Sequence, residues 1–356
     1  MTREQVQSLI DNGRFPGPKA PVELLETHIS WVILTPAFAF KIKKPVRLPF
    51  LNFKTPEQRA FFCQEELRLN RRLAPEMYLD VLPVYLNADA APVMCLSGGG
   101  GTPVDYAVSM KRMNNSLQMD KLLRQNRVTA KDMEALAGLL VSFHRSVKIP
   151  GNEVPYRAGD NRADFDDLFR MEAVCTRFCA DGAAGMLAEW RSRVGQFLDR
   201  HETRLHERAN SGFWVEGHGD LHARNIFLLP EGPVVFDCIE FNPHFRRLDV
   251  LSELAFLCMD LEGSGHHELA LAFMQAYCRE WPCIEGPEDE LLFLYFKAYR
   301  ANVRLKVALL ELGQHPTPAL EEIAKDYWKL LGLYLQQLKN SFHQTFNPTP
   351  YALPTV

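Results

Sequence analysis

The chain has 356 residues, 47% of them hydrophobic and 24% charged, with a formal net charge of −4. This length predicts about two packed domains of an ordinary globular protein, and the negative charge argues against nucleic acid as an obligatory partner. No run reaches about 18 apolar residues and the N-terminus lacks a basic-then-apolar signal, so we expect neither a membrane span nor a secretory leader. We therefore expect a cytoplasmic protein. Its eight cysteines include no Cys-x-x-Cys pair and are expected to be reduced thiols.

The first part of the sequence predicts an antiparallel hairpin followed by a helix. Residues 31–34 and 37–42 are rich in strand formers and are separated by a Thr-Pro dipeptide. Lys41 lies on the second of these strands. Residues 57–72 show helical periodicity and follow Thr55, which is expected to cap the helix.

Two further strands are predicted at residues 81–86 and 104–110. The loop between them contains four consecutive glycines, residues 98–101. No helix N-terminus follows these glycines to supply aligned amides, so we interpret them as a hairpin tip and not as a phosphate-binding loop. Residues 111–115 then leave the sheet.

The rest of the chain is predicted to be mainly helical. Thr129, with Asp132 three residues later, predicts a capped helix that continues through His144, which we expect to be a core histidine. Residues 147–165 are polar and broken by proline and glycine, and are expected to form a surface loop. Residues 166–208 return to helical periodicity and predict one or two helices.

A strongly apolar helix is predicted at residues 250–259, directly after Asp249. Residues 288–312 predict one long helix with an aromatic inward face. Its cations are expected on the outward, solvated face, with contact to an anionic substrate as the alternative; they are Lys297, Arg300, Arg304 and Lys306.

The most informative stretch is residues 218–225, His-Gly-Asp-Leu-His-Ala-Arg-Asn, which precedes a predicted hairpin that ends at Asp237. Phosphoryl transfer needs a carboxylate to orient and deprotonate the acceptor hydroxyl, and oxygen ligands to hold magnesium on the phosphates. Asp220, Asn225 and Asp237 supply these groups. The hairpin brings Asn225 near Asp237, because paired strands lie about 4.8 Å apart.

Two other interpretations of this stretch remain open. Asp and Asn beside a hairpin are often turn residues that bond their own backbone. His218 and His222, with Asp220 between them, could also be part of the ligand set of a metal-dependent hydrolase that uses zinc or manganese.

The stretch resembles the catalytic loop of aminoglycoside phosphotransferases and choline kinases, whose pattern is His-Gly-Asp-Leu-His-x-x-Asn with a hairpin ending in Asp. The resemblance implies a protein-kinase-like fold in which Asp220 is the catalytic base and Asn225 and Asp237 bind magnesium. Arg224 would contact the γ-phosphate or pair with an acid. In these families an Asp braces the catalytic loop, which makes Asp249 the candidate brace, with a simple N-cap as the alternative.

The resemblance also assigns residues in the first part of the chain. Lys41 would neutralise the α- and β-phosphates, and Glu66, with Glu65 as the second choice, would hold that lysine. Lys111 and Met113 lie where a hinge backbone would bind adenine. The usual glycine-rich lid is absent, because residues 26–30 occupy its place.

We therefore predict an α+β, two-lobed protein-kinase-like fold with a small antiparallel-sheet N-terminal lobe and a larger, mainly helical C-terminal lobe. The lobes would be residues 1–110 and 116–344, joined by a hinge at 111–115 and followed by a loose tail at 345–356. The predicted activity is an ATP- and Mg²⁺-dependent transfer of the γ-phosphoryl group to a hydroxyl of a small molecule. The alternative is a non-catalytic nucleotide-binding regulator. Similar bacterial proteins are often fused to a P-loop ATPase domain, so a separate P-loop ATPase is a predicted partner.

Overall fold

The computed structural model describes residues 1–16, 21–48, 50–87, 93–95, 103–154, 156–157 and 159–341. The chain divides into two compact units. The first comprises Met1–Leu117 together with Val234–Phe245, and the second comprises Gln118–Pro233 together with the described residues from Arg246 onward. The predicted glycine-rich hairpin tip at 98–101 and the predicted tail at 345–356 lie outside the described residues.

The first unit is built on an antiparallel sheet with the strand order β1-β2-β3-β8-β6-β7. A small β4–β5 ribbon and two helices complete this unit. Its elements are β1 (Glu23–Glu26), β2 (Ser30–Leu34), β3 (Phe38–Lys43), β4 (Arg47–Leu48), β5 (Leu51–Asn52), β6 (Tyr78–Asn87), β7 (Val93–Cys95), β8 (Asp105–Lys111), α1 (Arg3–Asn12) and α2 (Pro56–Asn70).

Side-chain alternation along β3 separates the core of this unit from its charged residues. Phe40 and Ile42 are fully buried in an apolar cluster that includes Val6 of α1. Because successive strand residues point to opposite faces, Lys41 and Lys43 share the other face, where they meet α2. Helix α2 begins with the capping box of Thr55, which confirms the predicted cap.

The second unit is mainly helical. Its helices are α3 (Met119–Arg124), α4 (Ala130–Ser146), α5 (Asp160–Asp166), α6 (Glu172–Phe178), α7 (Ala183–Asn210), α8 (Val250–Gly263), α9 (His267–Glu280), α10 (Pro287–Gln314) and α11 (Pro318–Ser341). Strand β9 (Trp214–Glu216) pairs with β12 (Arg247–Asp249). Strands β10 (Ile226–Leu229) and β11 (Gly232–Val235) form a hairpin through which the chain passes from the second unit to the first.

Helix α8 lies at the centre of the helical unit, and all but three of its residues are buried. It packs against α9 and α10, and α4 packs against α9. The predicted cap of α4 is confirmed, since Thr129 and Asp132 form a capping box. His144 is completely buried, as predicted for a core histidine.

The predicted α+β class, with a small antiparallel sheet and a larger helical part, is confirmed. The predicted surface loop at 147–165 is wrong at its C-terminal end, because α5 begins at Asp160 and places Phe165 in the core. Helix α5 buries one residue, Phe165, and one position gives no helical periodicity, so this short helix has no clear sequence signal. No helix of the described chain is long and apolar enough to cross a membrane.

Candidate active site

The loop at residues 218–225 orients the Asp220 carboxylate through its own side chains. The Asn225 amide donates to the Asp220 carbonyl at 3.0 Å and to Asp220 Oδ2 at 3.1 Å. His222 Nε2 lies 3.3 Å from the same Oδ2. The other oxygen, Oδ1, has no hydrogen-bond partner among the described residues. One oxygen is therefore fixed and the other is free to accept a proton.

The surroundings of Asp220 keep it ionised. Burial alone would raise its pKa, but the attraction of His222, assisted by the charges of Arg304 and His218, outweighs burial and lowers the pKa of Asp220 below its ordinary value. A carboxylate that stays charged can orient a hydroxyl donor over the whole physiological pH range.

The backbone of the loop is held from below by Glu253 of α8. This carboxylate accepts hydrogen bonds from the backbone N–H of His218 at 2.5 Å and of Gly219 at 2.9 Å. Gly219 has φ +84°, a conformation that favours glycine. A Cβ atom on Gly217 would lie 2.6 Å from Glu253 Oε1, so the carboxylate fits only beside a glycine.

Asp249 is the N-cap of α8, as one of its two compatible interpretations predicted, and no hydrogen bond joins it to the loop at 218–225 among the described residues. Asp249 accepts from the Leu251 N–H at 2.8 Å and pairs with Arg208 at 2.7 Å. Glu253 is the brace instead, and His144 Nε2 lies 3.6 Å from it. The signal in the sequence was an acid in the middle of an otherwise apolar helix, since a buried charge is retained only with partners.

Two more groups from helices fix the loop. Arg300 of α10 is buried, and its Nη1 donates to the Gly219 carbonyl at 3.1 Å. Asp260 of α8 accepts from the Ala223 N–H at 2.9 Å.

The prediction that the cations of α10 are solvated is wrong for Arg300 and for Lys297. Both are buried, and Lys297 is paired with Glu262 at 2.9 Å. The sequence pattern did not reveal this burial, because the aliphatic parts of lysine and arginine side chains can pack along an apolar surface.

We predict that Glu253→Gln destabilises the protein by about 3 kcal/mol at neutral pH. Burial alone would raise the pKa of Glu253, but His144, His218 and the accepted hydrogen bonds lower it from 4.5 to about 2. Because the folded-state pKa is depressed, the stabilisation is present above about pH 4.5 and is lost as the pH falls toward 2. Urea unfolding of both proteins between pH 3 and 7 measures this difference.

The matched control is Glu134→Gln, which removes an exposed carboxylate that pairs with Arg279 at 3.5 Å and should change stability by less than about 1 kcal/mol. A difference between wild type and Glu253→Gln that does not depend on pH would contradict the assignment of a buried, ionised brace.

The first unit carries the second group of candidate residues. Lys41 Nζ lies 2.8 Å from Glu66 Oε1 and 2.5 Å from Asp237 Oδ1. Glu65, the second choice, instead pairs with Arg68 at 2.7 Å. The predicted contact between Lys41 and Glu66 is therefore present, whereas the phosphate-binding role of Lys41 stays a prediction.

Asp237 adopts an unusual backbone conformation. Its φ of +66° lies in the left-handed region, which costs energy for a residue with a Cβ atom. The Asp237 N–H donates to the Tyr78 hydroxyl at 3.2 Å, and the next N–H, of Cys238, donates to Asn70 Oδ1 at 2.9 Å. These bonds hold the carboxylate in place while 42% of its side chain stays exposed.

Lys43 is a residue that the sequence reasoning did not single out. It is completely buried, donates to Glu66 Oε2 at 2.6 Å and forms an ion pair with Glu240. Burial alone would raise the pKa of Glu66, but Lys41 and Lys43 lower it to about 2. Burial, together with the charge of Glu66, raises the pKa of Glu240 despite its contact with Lys43. Glu66 therefore stays charged between two lysines.

We predict that Lys43→Met costs about 3–5 kcal/mol of stability, because it leaves Glu240 buried without a partner. The double variant Lys43→Met/Glu240→Gln should recover at least about half of that loss, since both buried charges are then removed together. Urea unfolding at pH 7 measures both values. Lys44→Met, which removes a pair with the partly exposed Glu26, is the matched control and should cost roughly 1 kcal/mol or less. Strictly additive losses in the double variant would contradict the pairing.

A tight turn joins β1 and β2, at the residues predicted to stand in the place of a glycine-rich lid. Thr27 Oγ1 accepts from the Ser30 N–H at 3.0 Å, and Lys44 Nζ donates to the Thr27 carbonyl at 2.5 Å and to Glu26 at 2.7 Å. Side chains thus fix this turn, which has no glycine.

The other predicted cofactor residues lie at element ends. Lys111 ends β8, and the backbone N–H and carbonyl of Met113 have no hydrogen-bond partner within the described part of the chain. Arg224 is exposed, and no acid among the described residues lies within ion-pair distance of it. Its carbonyl accepts from Gln118 Nε2 at 2.6 Å. The alternative in which Arg224 pairs with an acid is therefore not observed.

Comparison with solved structures identifies the fold. A choline/ethanolamine kinase family protein from Mesorhizobium loti aligns with a TM-score of 0.53 and 14% identity, over 96% of this chain and 98% of that one. The GDP complex of aminoglycoside 2'-phosphotransferase-IIIa aligns with a TM-score of 0.54 and 12% identity, over 94% and 98%. Together with the loop at 218–225, these similarities define a protein of the kinase-like fold.

The sequence comparisons show what the chain is similar to. Residues 116–287 match the model of the phosphotransferase enzyme family (APH). Uncharacterised proteins of Mycobacterium tuberculosis and Mycobacterium bovis are each 30% identical over 306 residues, which is 82% of this chain and 56% of theirs. The chain thus spans little more than half the length of these relatives.

Proposed function

We propose that the protein transfers the γ-phosphoryl group of ATP, with Mg²⁺, to a hydroxyl of a small molecule. The observation that carries this proposal is the geometry of Asp220, with one carboxylate oxygen bonded to Asn225 and His222 and the other without a partner among the described residues. This is the arrangement that a base needs in order to accept a proton from a hydroxyl that attacks phosphorus. The family match of residues 116–287 supports it.

The donor chemistry of two residues fits Mg²⁺, which prefers oxygen ligands and keeps several water or phosphate ligands of its own. Both hydrogen bonds of the Asn225 amide to Asp220 use Nδ2, so its Oδ1 is available as a ligand. Asp237 offers an exposed carboxylate on a constrained backbone. When bound, the ion would neutralise charge on the phosphates.

The remaining predicted residues would bind the nucleotide. Lys41 would contact the α- and β-phosphates while Glu66, held by Lys43, fixes its position. The backbone groups of Met113, which have no hydrogen-bond partner among the described residues, would bond adenine, with Lys111 nearby in sequence. Arg224, an exposed guanidinium beside the catalytic loop, would contact the γ-phosphate.

Thermal-shift titration with MgATP, followed by an ADP-release assay over a panel of hydroxyl compounds, tests this function. We expect stabilisation by MgATP and acceptor-dependent ADP release. Binding without any turnover would favour the non-catalytic regulator instead. Stoichiometric zinc or manganese in the purified protein would favour the hydrolase that uses His218 and His222. The predicted P-loop ATPase partner finds no support in the family match or in the solved structures described above.

A further inference from the structure

The four cations of α10 have different environments. Lys297 is paired with Glu262, and Lys306 donates to the Asp164 carbonyl at 3.0 Å and lies 3.9 Å from Asp167. Arg300 is buried and donates to backbone carbonyls. Lys297, Arg300 and Lys306 thus already form hydrogen bonds or ion pairs with oxygen atoms of the protein.

Arg304 differs from them. Its Nε lies 3.3 Å from the Tyr327 hydroxyl, and its guanidinium lies 5.6 Å from the centre of that ring. Its two terminal nitrogens have no hydrogen-bond partner, and no carboxylate lies within ion-pair distance, among the residues that the structure describes. It is only partly exposed. Both terminal NH2 groups of this half-buried guanidinium therefore lack a partner among the described residues.

The position of Arg304 relates it to the catalytic loop. It follows Arg300 by one helical turn, and Arg300 holds the carbonyl of Gly219, the residue before Asp220. The charge of Arg304 contributes to the lowered pKa of Asp220, so the two groups lie within electrostatic reach. Burial alone would lower the pKa of Arg304, but Tyr327 and the carboxylates of Asp220 and Asp260 raise it. Both carboxylates already accept hydrogen bonds from the loop, Asp220 from Asn225 and Asp260 from the Ala223 N–H.

We propose that Arg304 binds an anionic group, a carboxylate or a phosphate, on the acceptor, and that the substrate is therefore a hydroxyl compound carrying negative charge. The fork of guanidinium donors matches the oxygens of both groups, and the Tyr327 ring supports the guanidinium from one face. This inference rests on the proposed function and specifies its substrate class. It sets the protein apart from enzymes of this fold that are named for choline or an aminoglycoside, which are cations.

Calorimetric titration in the presence of a non-hydrolysable MgATP analogue, at constant ionic strength, tests the inference. The probes are matched pairs, glycerate with glycerol and glucose 6-phosphate with glucose, together with choline and one aminoglycoside. We expect at least one anionic probe to bind wild type at least about tenfold more tightly than its neutral parent. Arg304→Gln should remove that preference, and Arg304→Lys should retain part of it.

The matched control is Arg193→Gln on α7, whose guanidinium pairs with Glu189, and it should keep the full preference. Equal or tighter binding of the neutral or cationic probes to wild type would overturn the inference. So would an unchanged preference in Arg304→Gln. Failure of the nucleotide analogue itself to bind would instead overturn the proposed function, so the two failures are distinguishable.

Discussion

Asp220→Asn should lower kcat by about 10²- to 10⁴-fold, the usual contribution of a general base, and should leave the affinity for MgATP nearly unchanged. The asparagine amide can still occupy the position of the carboxylate, but it cannot accept a proton from the acceptor hydroxyl. Steady-state ADP release with an identified acceptor gives kcat, and calorimetry gives nucleotide affinity.

The control for this variant is Asp326→Asn, an exposed aspartate on α11 that pairs with Lys329 at 3.3 Å. It should keep full activity. Turnover of Asp220→Asn close to that of wild type would remove the base assignment, since no other described carboxylate has the same contacts with Asn225 and His222.

Asp237→Ala should weaken Mg²⁺-dependent nucleotide binding by more than about 100-fold, which exceeds the 10- to 100-fold effect typical of outer-shell changes at metal sites. The variant removes a proposed magnesium ligand, and it also frees Lys41 from its ion pair with Asp237. The measurement is the nucleotide affinity of both proteins with excess Mg²⁺ and with EDTA.

The comparison in EDTA separates the two effects. A lost metal ligand predicts that wild type and variant bind equally weakly without metal and differ strongly with it. A difference of the same size in both conditions would show that Asp237 acts through Lys41 and not through a metal ion. Thermal unfolding of both proteins establishes that the variant is folded.

Local sequence signals predicted much of the fold. Strand-forming runs located the β2–β3 hairpin, and the caps Thr55 and Thr129 located the starts of α2 and α4. These features depend on residues within one turn or one strand, so composition and spacing are enough to find them. The loop at 218–225 was found in the same way, because its contacts between Asp220 and Asn225 span only five residues.

The supporting residues could not be predicted in this way, because their contacts are distant in sequence. Glu253 is 35 residues from His218, Arg300 is 81 residues from Gly219, and Lys43 is 197 residues from Glu240. Nor did the sequence indicate that Val234–Phe245 belongs to the first unit. Buried charges are stable only when partners are present. An acid or a lysine within an apolar segment therefore indicates that a buried partner exists, but the sequence does not show which residue it is.

A crystal structure with a non-hydrolysable ATP analogue and Mg²⁺ tests the central claim most directly. The account predicts an ion bound at about 2.1 Å by Asn225 Oδ1 and an Asp237 oxygen, with the γ-phosphate facing the free oxygen of Asp220. Nucleotide bound without these ligands, or an ion held by His218 and His222, would contradict it.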